Sequence, residues 1–215
     1  MKQYLAGFLA TLGLALSVIA FPIQAQQLGG DYTKILPPLS ADVPDKIEVI
    51  EFFSYACPHC NELNPSLTKW AARQPSDVAF RKVAVGFGNP FYQLTAKLFY
   101  SLEALGELKR LDDSVFQAIH SKGVKLLDEK SVTGWVASQG VDAKKFGDAF
   151  NSFGVLNQIK RSDMLVKNAN IRGVPALVVD GRYLIGGPNI KGNTDLLAIA
   201  DQLIEKERSE RRLKK

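Results

Sequence analysis

Between Gly88 and about Lys167 the chain carries no strand signal, although the segments on either side of this stretch read as buried strands. A sheet built from both sides must therefore bring together two halves that are distant in sequence, with a helical block inserted between them. Upstream, Ile47–Phe53 (Ile-Glu-Val-Ile-Glu-Phe-Phe) is an almost unbroken apolar run, predicted to be a strand buried on both faces, and a second strand is predicted at 78–85, after Asp77. A short edge strand is predicted within 31–36, stopped by Pro37-Pro38. Downstream, two short apolar runs, Ala176–Val179 and Tyr183–Ile185, flank Asp180-Gly181, a strong hairpin turn.

Inside the gap, helical spacing joins Leu94, Leu98, Leu102 and Leu105, then Leu111, Val115 and Ile119. Trp135 with Val136, and Phe146 with Ala149 and Phe150, mark shorter helices, with Asp142 as an N-cap. A further helix is predicted over 153–166, and a terminal one carries Leu196, Ile199, Ala200, Leu203 and Ile204 on one face.

Residues 1–25 combine Lys2, an uncharged apolar run over 5–21, Pro22, and Ala25 before Gln26. This is the pattern of a secretory signal peptide, so the expected mature chain begins at Gln26 in the periplasm. The formal charge of +5 does not describe a nucleic-acid-binding surface, because residues 205–215 hold six basic and three acidic side chains. Once that tail and Lys2 are set aside, basic and acidic residues nearly balance, and no nucleic-acid partner is expected.

Export makes the cysteine usage unusual. The chain has two cysteines, Cys57 and Cys60, in Cys57-Pro58-His59-Cys60 directly after the first buried strand. A bridge between them closes too short a loop to constrain a fold. The motif alone also serves zinc, iron-sulfur clusters and haem attachment. A structural zinc takes four ligands, and the histidines available are His59 and His120. Haem attachment needs a histidine after the second cysteine, where Asn61 stands, and a four-cysteine cluster would need two chains. An inert structural disulfide stays open. Dithiol redox chemistry has a mechanism: Pro58 suits the first turn of a helix, so Cys57 falls at a helix N-terminus, where free N–H groups and the helix dipole favour a thiolate. His59 adds a donor or a positive charge, and Cys60, one turn inside, is shielded.

The order strand, helix, strand, helical block, hairpin, helix, with the cysteine pair opening the first helix, is the thioredoxin-like one: an α/β fold, a mixed sheet flanked by helices, with an inserted all-helical domain. The expected division is 26–88 and 163–215 for the thioredoxin-like part and 89–162 for the insertion. The stretch from Glu51 to Cys60 (Glu-Phe-Phe-Ser-Tyr-Ala-Cys-Pro-His-Cys), together with Arg172-Gly173-Val174-Pro175-Ala176 and the insertion, resembles the DsbA family of periplasmic thiol:disulfide oxidoreductases over essentially the whole mature chain. The resemblance implies that Cys57 is the attacking and attacked sulfur, that Cys60 completes the pair, that Pro175 is a cis-proline, and that a DsbB-like membrane quinone reductase reoxidises the protein. No cofactor beyond the Cys57–Cys60 disulfide is implied. Tyr55-Ala56 before the motif and the longer basic tail depart from the family pattern and leave substrate range open.

Glu51 is costly in an apolar strand unless neutral or paired. It is expected to be a buried acid that relays protons to Cys60, with Lys82 as partner; the alternative is a carboxylate in water at the sheet end. Val174 and Pro175 are expected to present backbone to an extended client. Phe87, Phe91 and Tyr92 are read as core rather than groove, His120 as a solvated helix residue, and the basic tail as a frayed helix end. The clients are expected to be unfolded exported proteins and the protein a monomer, since about 20 residues before the first buried strand leave no room for a dimerisation domain. A disulfide isomerase or reductase, or a peptide-binding holdase, are the alternative functions.

Overall fold

The computed structural model describes residues 30–213; the signal peptide expected at 1–25 lies outside the described residues. Five strands, β1 (Tyr32–Lys34), β2 (Ile47–Phe53), β3 (Val78–Ala84), β4 (Ala176–Val179) and β5 (Tyr183–Ile185), form one sheet in the order β1-β5-β4-β2-β3. Only β2 and β3 are parallel, joined through helix α1 (Pro58–Ala71); the other pairings are antiparallel. Between β3 and β4 run α2 (Pro90–Ala104), α3 (Leu108–His120), α4 (Glu129–Ser138), α5 (Ala143–Phe150) and α6 (Phe153–Asn168), and the described chain closes with α7 (Asn193–Leu213). Residue 162, the expected end of the insertion, falls inside α6.

The buried run that predicts β2 is buried at every position. Its alternation serves two cores. Ile47 and Val49 pack with Leu63, Leu67 and Trp70 of α1 and with Ile199, Leu203 and Ile204 of α7, while Ile50 and Phe52 face Val83, Val178 and Ile171. Phe53, at the end of β2, leads into a third core shared with the insertion, where Phe99, Phe116, Phe146 and Phe150 pack together. The cysteines belong to this third cluster, so the site sits at the seam between the sheet and the inserted helices.

Side-chain caps and a tight turn set the element ends, the Asp142 cap and the Asp180-Gly181 turn where the sequence predicts them. Asn89 caps α2 by accepting from the N–H groups of Phe91 (2.9 Å) and Tyr92 (3.1 Å), and Asp142 caps α5 by accepting from Lys145 N at 2.8 Å. In the hairpin, Asp180 and Gly181 have φ of 52° and 63°. Gly181 is required twice over, because a Cβ there would also lie 2.4 Å from the carbonyl oxygen of Leu39.

The tail differs from expectation. α7 continues to Leu213 and is fixed to the body: Arg208 makes two bonds to Asp77 (2.6 and 3.1 Å), and Arg211 bonds Asp180 (2.5 Å) and the carbonyl of Lys46 (3.0 Å). A basic run reads as solvated only until its counter-charges, distant in sequence, are known.

Candidate active site

The chain leaves β2 through a tight turn. Cys57 N–H donates to Ser54 O at 3.0 Å and Ala56 N–H donates to Ser54 Oγ at 3.2 Å, which sets Cys57 as the N-cap of α1 with extended φ and ψ of −88° and 119°. Pro58 occupies the first turn, where its missing N–H costs nothing. Both cysteines are free thiols. Cys57 is 4% exposed and Cys60 0%, while Pro58 and His59 beside Cys57 are exposed.

The Cys57 thiol is lowered from its ordinary value of 9.0 to about 6. The largest cause is a hydrogen bond from the Cys60 side chain; the backbone N–H groups of Cys60 and His59 add to it, the His59 charge adds least, and burial opposes it. Cys60 moves the other way, raised by its bond to Cys57 and by burial. One sulfur is thus prepared to carry charge and the other to keep its proton.

His59 contributes to the thiolate as a donor through its backbone N–H and least through its ring charge. Its Nδ1 lies 3.1 Å from Glu62 Oε2, with both side chains in water, and that carboxylate is the main cause of its raised pKa. A neighbour in sequence is here a helix residue that points outward. His59→Ala is therefore expected to leave the Cys57 titration midpoint nearly unchanged, whereas His59→Pro, which deletes the N–H, should raise it by about one unit. Alkylation rate against pH for the two variants checks this; equal shifts in both would return the role to the ring.

From the far side, Cys57 Sγ lies 3.4 Å from the carbonyl oxygen of Val174, and the Val174–Pro175 peptide bond is cis. A second cis bond, Leu36–Pro37, has no counterpart in the sequence reading. Tyr92, half-buried on α2, is close enough for both cysteines to raise its pKa, after burial as the main cause. Phe87 is 39% exposed, which departs from its reading as core.

Below the cysteines, Glu51 is fully buried, and the open sheet-end alternative does not hold. Burial raises its carboxyl from 4.5 to about 7 against the pull of Lys82. Lys82 Nζ is 3.7 Å from Glu51 Oε2, beyond a hydrogen bond, and neither Glu51 oxygen has a hydrogen-bond partner among the described residues. Three residues earlier on the same strand, Glu48 is equally buried but takes two bonds from Arg81 (3.0 and 3.2 Å). The strand thus holds one paired acid and one without a hydrogen bond.

Other site neighbours escaped the sequence reading. Asp112 accepts from Lys82 (2.7 Å) and from Tyr55 OH (2.6 Å), and Asn64 Oδ1 accepts from Lys82 at 2.6 Å. His120 is not simply solvated: its Nε2 donates to Tyr55 O at 2.7 Å and its ring stacks on Phe116. The signal for Asp112 was a carboxylate on the apolar stripe of α3 that carries Leu108, Leu111, Val115 and Ile119. Among the described residues no group of three or more His, Cys, Asp or Glu side chains could hold a metal ion.

A dithiol of divided acidity at a helix N-terminus, facing a proline loop on a mixed sheet, is the equipment of thiol:disulfide exchange. Residues 48–203 match the family described as DSBA-like thioredoxin domain, and the chain belongs to that family. It is 41% identical over 202 residues to the thiol:disulfide interchange protein DsbA of Bordetella parapertussis, spanning 93% of this chain and 95% of the relative. The DsbA of Azotobacter vinelandii is 36% identical over 200 residues, spanning 90% and 93%. The crystal structure of Pseudomonas aeruginosa DsbA superposes with a TM-score of 0.81 at 34% identity, covering 86% of this chain and 95% of that one. The fold is thioredoxin-like with a helical insertion, and the chain is a protein disulfide oxidoreductase.

Proposed function

We propose that the chain is a periplasmic dithiol oxidase. It passes the Cys57–Cys60 disulfide to newly exported, unfolded proteins, is reoxidised by a DsbB-like membrane quinone reductase, and works as a monomer with no cofactor beyond that disulfide. The observation that supports this reading most is the lowering of Cys57 to about 6 beside a Cys60 that is raised. A stabilised thiolate favours the reduced pair and makes the disulfide a strong oxidant, the behaviour for which DsbA serves as a general reference case.

In the proposed exchange a client thiolate attacks Cys57 Sγ, a client–Cys57 disulfide forms, and the Cys57–Cys60 bond breaks with its electron pair on Cys60. A proton from Glu51 neutralises Cys60. A second client thiolate then attacks the client sulfur of the mixed disulfide, and Cys57 leaves as its stabilised thiolate, so two electrons have passed from the client to the protein. Val174 offers backbone to an extended client segment, and Pro175, which has no N–H, ends that offer after one rung.

Equilibration of the pair with glutathione tests the reading. An oxidase settles far to the reduced side. A pair that settles oxidised marks a reductase, and function that survives loss of both cysteines marks a holdase.

A further inference from the structure

The Lys82 ammonium is held from the inserted helix α3 as well as from α1 and β2. Its hydrogen bonds go to Asp112 of α3 at 2.7 Å and Asn64 of α1 at 2.6 Å, while Glu51, its direct register partner across the β2–β3 pair, is left at 3.7 Å. The ammonium also lies over the rings of Phe53 (5.1 Å) and Phe116 (5.5 Å), which fix it from the strand and from α3. Asp112 is itself anchored by the Tyr55 hydroxyl at 2.6 Å, two residues before Cys57.

We propose that Asp112 is a positioning residue of the redox site: by holding Lys82 away from Glu51, the inserted helix leaves the buried acid free to serve Cys60. The inference rests on the relay reading of Glu51 and adds the source of its control. The groups that face Glu51 electrostatically are Lys82 from β3, Asp112 from α3, and Cys57, Cys60 and Tyr55 from the turn and first helix; β4 sets the apolar Leu177 opposite it. Lys82 favours the ionised carboxyl, and Asp112 disfavours it directly as well as through its hold on Lys82. In the exchange step, the Glu51 carboxyl gives its proton to the Cys60 thiolate, becoming a carboxylate as Cys60 becomes a thiol. If Lys82 were free to bond Glu51, the carboxyl would ionise before that step and have no proton to give.

The test is the Glu51 carboxyl titration in the full-length protein, read by carbon NMR and assigned with Glu51→Gln. Asp112→Asn should move the midpoint to acid by about one pH unit or more, since an opposite charge at contact distance shifts a carboxyl by that order. Asp112→Glu, which keeps the charge, should restore it and also controls for folding. An Asp112→Asn midpoint equal to wild type overturns the proposal, as does a shift that Asp112→Glu fails to reverse. The pH profile of dithiol-peptide oxidation separates the underlying reading: a rate profile that follows the carboxyl supports both, while a carboxyl that moves under an unmoved rate profile supports the control of Glu51 by Asp112 and overturns the relay.

Discussion

Cys60→Ala should accumulate client adducts through Cys57, approaching one per molecule with a single-thiol client activated as a mixed disulfide, while Cys57→Ala should accumulate none and both variants lose turnover with dithiol clients. The asymmetry follows from position. Cys57 is the N-cap of α1, retains the pair's only exposure and lies against Val174 O; Cys60 is fully buried in the core shared with the insertion. A mixed disulfide can therefore form on Cys57, and it persists because neither Cys60 nor a second client thiol is present to attack it. Non-reducing gels and intact mass after incubation with a client activated as its mixed disulfide would read the adducts directly. Adducts on Cys57→Ala and none on Cys60→Ala would reverse the assignment of the sulfurs.

The second large effect is on stability, and its sign is opposite to that of a structural disulfide. Cys57 titrates near 6 when folded against an ordinary 9.0. For a depressed acid the stabilisation is complete above the unfolded value and disappears as pH falls through the folded one. Reduced protein should thus gain on oxidised protein from pH 6 upward, by about 1.4 kcal/mol per unit, reaching roughly 3 kcal/mol near pH 9. Above that the raised Cys60 works against further gain, because its unfolded form ionises first. Glu51 titrates in both forms, and its raised pKa removes stability as pH rises through about 7, so the quantity to follow is the difference between reduced and oxidised denaturation midpoints. A difference that is flat from pH 6 to 9, or that favours the oxidised protein throughout, contradicts the assigned thiolate.

What could be read from the sequence was whatever one segment specifies by itself. The apolar run of β2, the Asp180-Gly181 turn, the Asp142 cap and the cysteine pair opening α1 each state their structure within about ten residues. The network beneath the cysteines could not be read in that way, because Lys82, Asp112, Asn64 and Tyr55 lie on four different segments and meet only when α3 docks on the end of the sheet. Glu51 was legible as an anomaly in its strand, but its lack of a hydrogen bond, against the paired Glu48, depends on where Arg81 and Lys82 send their charges. The same limit explains the tail, whose arginines find Asp77 and Asp180 only in the fold. His59 shows the limit in another form: its backbone N–H and charge help to lower Cys57, as adjacency in sequence suggests, but helix geometry turns the ring to Glu62 and solvent.

The central claim is that the start of α1 holds Cys57 as a thiolate at neutral pH, and the rate of alkylation of the reduced protein against pH tests it most directly. A single inflection near pH 6, absent from Cys57→Ala, is expected. An inflection near 9, where an ordinary thiol titrates, would contradict it and remove the basis for an oxidising disulfide.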